Sequence, residues 1–302
     1  MNTPLVSVIL PAFNAEAFIG DSIRSIVNQT YSHTELIIVD DASTDKTLSI
    51  IKSFHARYPS LIKIIQIKKN MNKGGDTCAN MAIQLARGKY IARMDADDIA
   101  DPSRIEKQVQ FMEKNKSVFI VGTSAQVINK EGEIVGEKIM PQNHADIYSE
   151  YMVFHPMIHP TVMFRNHVIK RKIFYKSTFS ANNDYYTFFD LISRGYEFAN
   201  LPEKLLKYRI YGNNNSLKTI KKNFFNTLGA RMHIFKKYGY PLTLKIIIAN
   251  LAQLGTILIL PEKAIYYIYL ITRGILKVED IMHAIKSSLL AIKTKYSSFI
   301  LR

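Results

Sequence analysis

The sequence predicts an α/β protein, a mixed and mostly parallel β-sheet flanked by helices, with a helical extension at its C-terminal end. Three observations lead there. Short apolar runs rich in β-branched residues alternate with helix-like stretches through the first hundred residues, the joins are short, and glycine, proline and asparagine punctuate them. Strand–helix–strand alternation of this kind closes into a sheet only through right-handed crossovers between parallel strands.

Taken in order, Val6–Leu10, Glu35–Asp40, Ile62–Ile67 and Tyr90–Met94 read as strands. Between them Ala15–Val27, Asp45–Arg57 and Gly75–Arg87 carry apolar residues at helical spacing. Thr44 or Asp45 is placed to cap the second helix and Gly88 to end the third. A helix follows Pro102 to about Lys114, then Val118–Ile128 and Glu133–Ile139 form a strand pair. Asp184–Arg194 is a helix closed by Gly195, with short strands at Phe198–Leu201 and Leu205–Tyr211. Beyond Ser216 come a basic helix, Lys221–Lys237, and two apolar stretches, Leu244–Leu260 and Ala264–Leu276. The first is interrupted by Asn250 and Gln253 and the second by Arg273, so neither offers the roughly 20 clean residues of a spanning helix. Interfacial helices and a buried hairpin are the two readings left open there.

Composition narrows the function. At 47% apolar and 22% charged, the 302 residues are those of an ordinary globular chain. One cysteine, Cys78, excludes an internal disulfide framework and reads as a small buried hydrophobe. The net charge of +15 is lopsided: from Glu203 onward 17 Lys and Arg face 4 Asp and Glu. A basic tail of this kind seeks an anionic surface, membrane or nucleic acid. Val6–Leu10 has no basic segment before it and no cleavage site after it, so it reads as a strand rather than a signal peptide, and the chain is expected to act in the cytoplasm.

The chemistry concentrates at strand ends. Tyr90-Ile-Ala-Arg-Met-Asp95-Ala-Asp97-Asp98 brings three carboxylates to the end of an apolar strand. If the strand persists, Asp95 and Asp97 share one face and Asp98 takes the other. Paired carboxylates repel each other unless a cation joins them, and hard oxygen ligands suit Mg²⁺ or Mn²⁺. The second strand ends in Asp40-Asp41 and the first in Pro11-Ala12-Phe13-Asn14, at the same sheet edge. Ligands of open α/β sheets bind there. Asp45 reads as a helix cap. His155 and His159 are four apart, but Pro156 and Pro160 break any helix that would make them a zinc pair.

These segments, with Asn70 to Asn80 and Arg87-Gly-Lys-Tyr-Ile91, resemble in order and interval the family 2 glycosyltransferases of the GT-A (Rossmann-like) fold, of the kind that build bacterial surface polysaccharide and lipooligosaccharide. The resemblance covers roughly residues 4 to 212. It implies a catalytic domain over 1–212 and a membrane-associating extension over 213–302. By the same resemblance Asp41 holds the nucleotide base with Asp40 beside it, Asp95 contacts the ribose or metal, and Asp97 is the direct ligand of Mn²⁺ or Mg²⁺. Pro11, Ala12 and Asn14 line the nucleoside pocket. Asp184 is the catalytic base, although Asn183 stands where the family usually has glutamate. Ala79 stands where an arginine often does, leaving Lys73, Arg93 or Arg209 for the phosphates. His159-Pro160-Thr-Val-Met-Phe-Arg165 matches a strand near the acceptor.

The expected function is therefore inverting transfer of a hexose or N-acetylhexosamine from a nucleotide-diphosphate sugar, first of all a UDP-sugar, to a hydroxyl of a glycan or lipid-linked acceptor. The basic tail is expected to hold the enzyme peripherally at the inner face of the cytoplasmic membrane. The alternative is a non-enzymatic module that uses the tail for nucleic acid. The long uncharged runs in the tail suit lipid better than a solvated phosphate backbone, so no nucleic acid is expected.

Overall fold

The computed structural model describes residues 3–71, 75–168, 173–176, 182–211 and 220–272. Within them lie β1 (Val6–Ala12), α1 (Ile19–Val27), β2 (Thr34–Asp40), α2 (Thr47–Arg57), β3 (Ile62–Gln66), α3 (Asp76–Leu85) and β4 (Tyr90–Arg93). There follow β5 (Ile99–Ala100), α4 (Arg104–Lys114), β6 (Val118–Ile128), β7 (Ile134–Lys138), α5 (His144–Glu150), β8 (Met163–Arg165), α6 (Asn183–Ile192) and β9 (Glu197–Arg209). The helices α7 (Ile220–Tyr238), α8 (Leu244–Ile259) and α9 (Glu262–Thr272) complete the described chain.

The strands form one sheet in the order β3-β2-β1-β4-β8-β6-β9-β5, with β7 on β6. The block β3-β2-β1-β4 is parallel, β8 runs antiparallel between β4 and β6, and β9 is parallel to β6. All seven residues of β1 are buried, as an apolar strand covered on both faces must be. Register decides which layer each side chain joins. Ile9, Ile37, Val39 and Ile91 pack with α3 and α6, while Val8, Leu10, Leu36, Ile38 and Ala92 pack with α1 and α4.

One polar knot ties the parallel block together. Glu35 of β2, 2% exposed, accepts from Ser7 Oγ at 2.6 Å, Lys63 Nζ at 2.8 Å and the Arg87 amide at 2.8 Å. Burial works to raise this carboxyl, but the donors from Lys63, Ser7 and Arg87 overcome it and bring it down to about 2. Gly88 lies beside the knot and corrects an expectation. The third helix ends at Leu85, and Gly88 is required by space: a Cβ there would meet Ser7 N at 2.6 Å, Tyr90 O at 2.7 Å and Leu5 O at 2.8 Å.

Other boundaries also move. The strand carrying the acidic motif stops at Arg93, so the alternation expected to set Asp95 and Asp97 on one face does not reach them; they sit in a turn. Phe198–Leu201 and Leu205–Tyr211 fuse into the single strand β9, whose register shifts opposite Thr123/Ser124, beside Pro202. Proline cannot donate to the ladder, so a break in the sequence pattern becomes an irregularity in one strand. The cap position of α2 falls on Lys46, and Asp45 just before it accepts from the Thr47 amide on Oδ1 at 2.9 Å.

The C-terminal helices share the core of the sheet domain: Ala230, Ile234, Tyr240 and Ile246 join the cluster that contains Tyr185 and Phe189 of α6. The two amides that interrupt α8 are explained. Asn250 Oδ1 and Gln253 Oε1 accept from buried Arg231 Nη1 at 2.7 and 2.9 Å, while Arg231 Nη2 donates to Val153 O at 2.7 Å. The polar face of α8 therefore points inward. Its outward face is apolar, with Leu244, Ile248, Leu251, Leu258 and Ile259 all exposed. Among the described residues no helix is long and apolar enough to cross a membrane. The expected domain junction at 212/213 lies outside the described residues.

Candidate active site

The chain runs β1–β2–β3 to one side of β1 and then returns to place β4 on the other, so the crevice beyond the carboxyl ends of β1 and β4 is the switch point of the sheet. Three groups of residues meet around it.

The first closes the β1 and β2 ends. The Asp41 amide donates to Ala12 O at 2.8 Å, continuing the pairing of Pro11 and Ala12 with Val39 and Asp40. Asp41 Oδ1 accepts from the Met71 amide at 2.8 Å, and Asn70 Nδ2 donates to Asp41 O at 3.0 Å. Asp40 is buried, with Oδ2 near the Ser43 amide at 3.3 Å and Oδ1 without a hydrogen-bond partner among the described residues. Asn14 has a left-handed φ of 46° and its Oδ1 accepts from the Thr44 amide at 2.8 Å, locking the two loops together. Cys78 lies beneath, its thiol pushed up to about 12 by burial and by the Asp41 carboxylate. Pro11, Ala12, Asn14, Asp40 and Asp41 are thus brought together.

The second group is the acidic turn after β4. Asp95 Oδ1 accepts from Arg93 Nε at 2.9 Å, and Asp95 O accepts from Ser22 Oγ at 2.8 Å. Asp97 Oδ2 accepts from Tyr211 Oη at 3.1 Å. Burial and then the Asp95 charge push the Asp97 carboxyl up to about 6. Asp98 turns inward to accept from the Arg209 amide at 2.8 Å, and its carboxyl is raised by burial and by Asp97 and Asp95. Arg209 was expected among the donor contacts. Its guanidinium lies 4.5 Å over the Phe18 ring and donates to Asp97 O at 2.8 Å, Lys130 O at 2.8 Å and Asn129 O at 3.1 Å. In that position it braces the turn that carries Asp97. Lys73 lies outside the described residues.

The third group surrounds Asp184 in the first turn of α6, 20% exposed at its side chain. His155 Nε2 lies 3.2 Å and His159 Nδ1 3.7 Å from Asp184 Oδ2, and His159 Nε2 shares a 2.9 Å hydrogen bond with Tyr175 Oη. Burial alone would raise the Asp184 carboxyl. The hydrogen bond from His155, the His159 and His155 rings and the Tyr185 amide instead carry it well below the usual carboxylate range. Burial and then Arg93 hold His159 down to about 4, so it is neutral at physiological pH. The two histidines are therefore partners of a carboxylate.

Whether the acidic turn fits a divalent ion is answered by its charge. Burial first and the Asp95 charge second raise the Asp97 carboxyl, and a cation beside the pair would relieve both. Among the described residues no group of three or more His, Cys, Asp or Glu gathers as a metal cage. Two protein carboxylates, with the remaining positions left to phosphate and water, suit Mg²⁺ or Mn²⁺.

Sequence reasoning missed Asp76 and Tyr211. An aspartate opening a helix looks like any first-turn acid, and a tyrosine ending a strand carries no signal of its own.

A mixed α/β sheet with acidic residues along its switch-point edge is the architecture of an enzyme that binds a small polar ligand there. A mannosyltransferase from Pyrobaculum calidifontis, solved in complex with GDP-Man and Mn²⁺, superposes with a TM-score of 0.60 over 99% of this chain and 84% of its own, at 16% identity. The sequence profile of glycosyl transferase family 2 matches residues 7–178. An uncharacterized glycosyltransferase of Haemophilus influenzae is 40% identical over 224 residues, covering 71% of this chain and 68% of its own. The UDP-Glc:alpha-D-GlcNAc-diphosphoundecaprenol beta-1,3-glucosyltransferase WfaP of Escherichia coli is 30% identical over 234 residues, 76% of this chain and 88% of its own. The chain belongs to glycosyl transferase family 2, and it is a transferase.

Proposed function

We propose that this enzyme moves a hexose or N-acetylhexosamine from a UDP-sugar to a hydroxyl of a glycan or lipid-linked acceptor in cell-surface polysaccharide synthesis, with inversion, by direct displacement. One observation carries the reading: a carboxylate held ionised, Asp184, shares the crevice with an acidic turn suited to a divalent ion. WfaP, whose name specifies a UDP-sugar donor and a diphosphoundecaprenol acceptor, supports both substrate classes.

Asp41 has the acceptor chemistry for the N3–H of uracil, its other oxygen being taken by the Met71 amide. Pro11, Ala12 and Asn14 shape the nucleoside pocket, with Asp40 beneath. Asp97 and Asp95 would hold Mn²⁺ or Mg²⁺, whose chemistry is to offset charge on the departing diphosphate. Asp184 accepts the proton of the acceptor hydroxyl while His155, on Oδ2, keeps the carboxylate oriented. Attack comes from the face opposite the leaving group, and a single displacement inverts the anomeric carbon. We assign residues 1–212 to catalysis and 213–302 to holding the enzyme on the cytoplasmic face of an anionic membrane. The outward apolar face of α8 and the lysines Lys236, Lys237 and Lys245 support that assignment.

The test is donor hydrolysis by the purified chain across a panel of nucleotide sugars, with Mn²⁺, Mg²⁺ or EDTA. Metal-dependent release of UDP from one donor, lost in Asp97→Ala, is the expected result. No hydrolysis and no metal-dependent nucleotide binding with any donor would overturn the reading.

A further inference from the structure

Asp76 opens α3 immediately after Gly75, whose φ of 83° turns the chain into the helix. It is 7% exposed, and the donor and base assignments above make no use of it. Three separate elements converge on its carboxyl. Asn183 of α6 hydrogen-bonds to it, the guanidinium of Arg93 from β4 stands in electrostatic reach, and so do Asp184 and Asp95. Burial first and the Asp184 charge second push it up to about 7. A buried carboxyl beside two other acids is costly.

Arg93 supplies the independent observation. Its side chain is 3% exposed and lies 5.7 Å over the Tyr175 ring. It gives Nε to Asp95, and its Nη2 is the atom that a Cβ on Gly75 would meet at 3.4 Å. Its Nη1 is buried with no hydrogen-bond partner among the described residues. Buried donors are ordinarily satisfied, and one left over beside a buried acceptor marks a place that a polar ligand completes. The place is bounded by the Asp95 side of the acidic turn and by Asp184. Under the proposed function, the ring in transfer must lie between the departing diphosphate and the base, which is this interval.

We propose that Asp76 is a specificity-determining residue, its carboxylate accepting hydrogen bonds from neighbouring hydroxyls of the transferred sugar while Arg93 Nη1 donates to an oxygen of the same ring. The inference rests on the donor and base assignments above. It makes the enzyme selective for a sugar with free hydroxyls on the ring edge that faces α3. Removal of one of those hydroxyls leaves a buried group unpaired, the situation in which sites discriminate most strongly.

The experiment measures binding of UDP, of the preferred UDP-sugar and of its monodeoxy analogues to the full chain with Mn²⁺, in wild type, Asp76→Ala and Asp76→Asn. Asp76→Asn keeps the volume and one acceptor oxygen, so a folded comparison survives if alanine does not. The expected result is UDP affinity unchanged within about twofold and UDP-sugar affinity lowered about tenfold or more in Asp76→Ala, less in Asp76→Asn. One deoxy analogue should become insensitive to the substitution. Equal weakening of UDP and UDP-sugar, or deoxy discrimination that survives in both variants, overturns the inference and leaves the proposed function standing. A wild-type chain that binds no nucleotide sugar overturns both.

Discussion

At the scale of single residues, the site is a set of carboxyls driven apart by their surroundings. Against its burial Asp184 is held ionised chiefly by the hydrogen bond with His155, while burial and then the Asp95 charge raise Asp97. In the base role proposed for Asp184 only its ionised form accepts a proton, so the acid limb of kcat should fall below the ordinary carboxylate range of about 4. In His155→Ala the main donor is gone and burial remains, so that limb should rise by about one pH unit or more, measured at saturating Mn²⁺. An unmoved limb would remove His155 from the positioning role. Asp97 titrates the other way from its ordinary value, and its ionised form is the one that strains the metal-free protein. Asp97→Asn should therefore abolish transfer yet raise the metal-free Tm, by about 2 °C for ~1 kcal/mol in a chain of this size, read by calorimetry. Much of this site was legible because strand-end aspartates at fixed intervals have few structural explanations. Asp76 was not, since its significance lies in what Asn183 and Arg93 bring to it across the fold.

At the scale of elements, the parallel block was legible from β-branched runs, whereas β5, two residues long, and α5 carry too little periodicity to be seen. The strand expected over Tyr90–Met94 ends one residue earlier for a related reason: apolar character continues through Met94, although the last ladder residue is Arg93, so the alternation that depended on its persisting does not reach Asp95 and Asp97. The knot at Glu35 gives the block its own pH dependence. Its folded carboxyl lies at about 2, below the ordinary glutamate value, so its stabilisation is complete above that ordinary value and is lost as the pH falls through about 2. Glu35→Gln should cost roughly 2 kcal/mol in urea unfolding at pH 7, and the gap to wild type should close as the pH approaches about 2. A gap that does not vary with pH would mean that the amide loses packing rather than charge.

At the scale of the whole molecule, α8 is inverted relative to an ordinary surface helix, with amides gripping Arg231 inside and leucines and isoleucines outside. An ordinary amphipathic helix hides its apolar stripe. Sequence could not tell a buried hairpin from an interfacial one because α8 packs one face on the core cluster and leaves an apolar face exposed. Leu251→Gln combined with Leu258→Gln should lower cosedimentation with phosphatidylglycerol vesicles about tenfold, each leucine contributing on the order of 1 kcal/mol. Transfer to a water-soluble acceptor should be unchanged. Binding that stays intact would assign the outward face to another partner.

The long reach of Arg209 carries a consequence for synthesis. Its Nε bonds to Asp97 O span 112 positions of sequence, and they exist only once β9 has slotted beside β6. A ribosome delivers β1 through β4 first, so the acidic turn emerges early and waits unbraced for a strand made much later. A nascent chain halted before residue 209 therefore carries the acidic turn without the guanidinium that braces it.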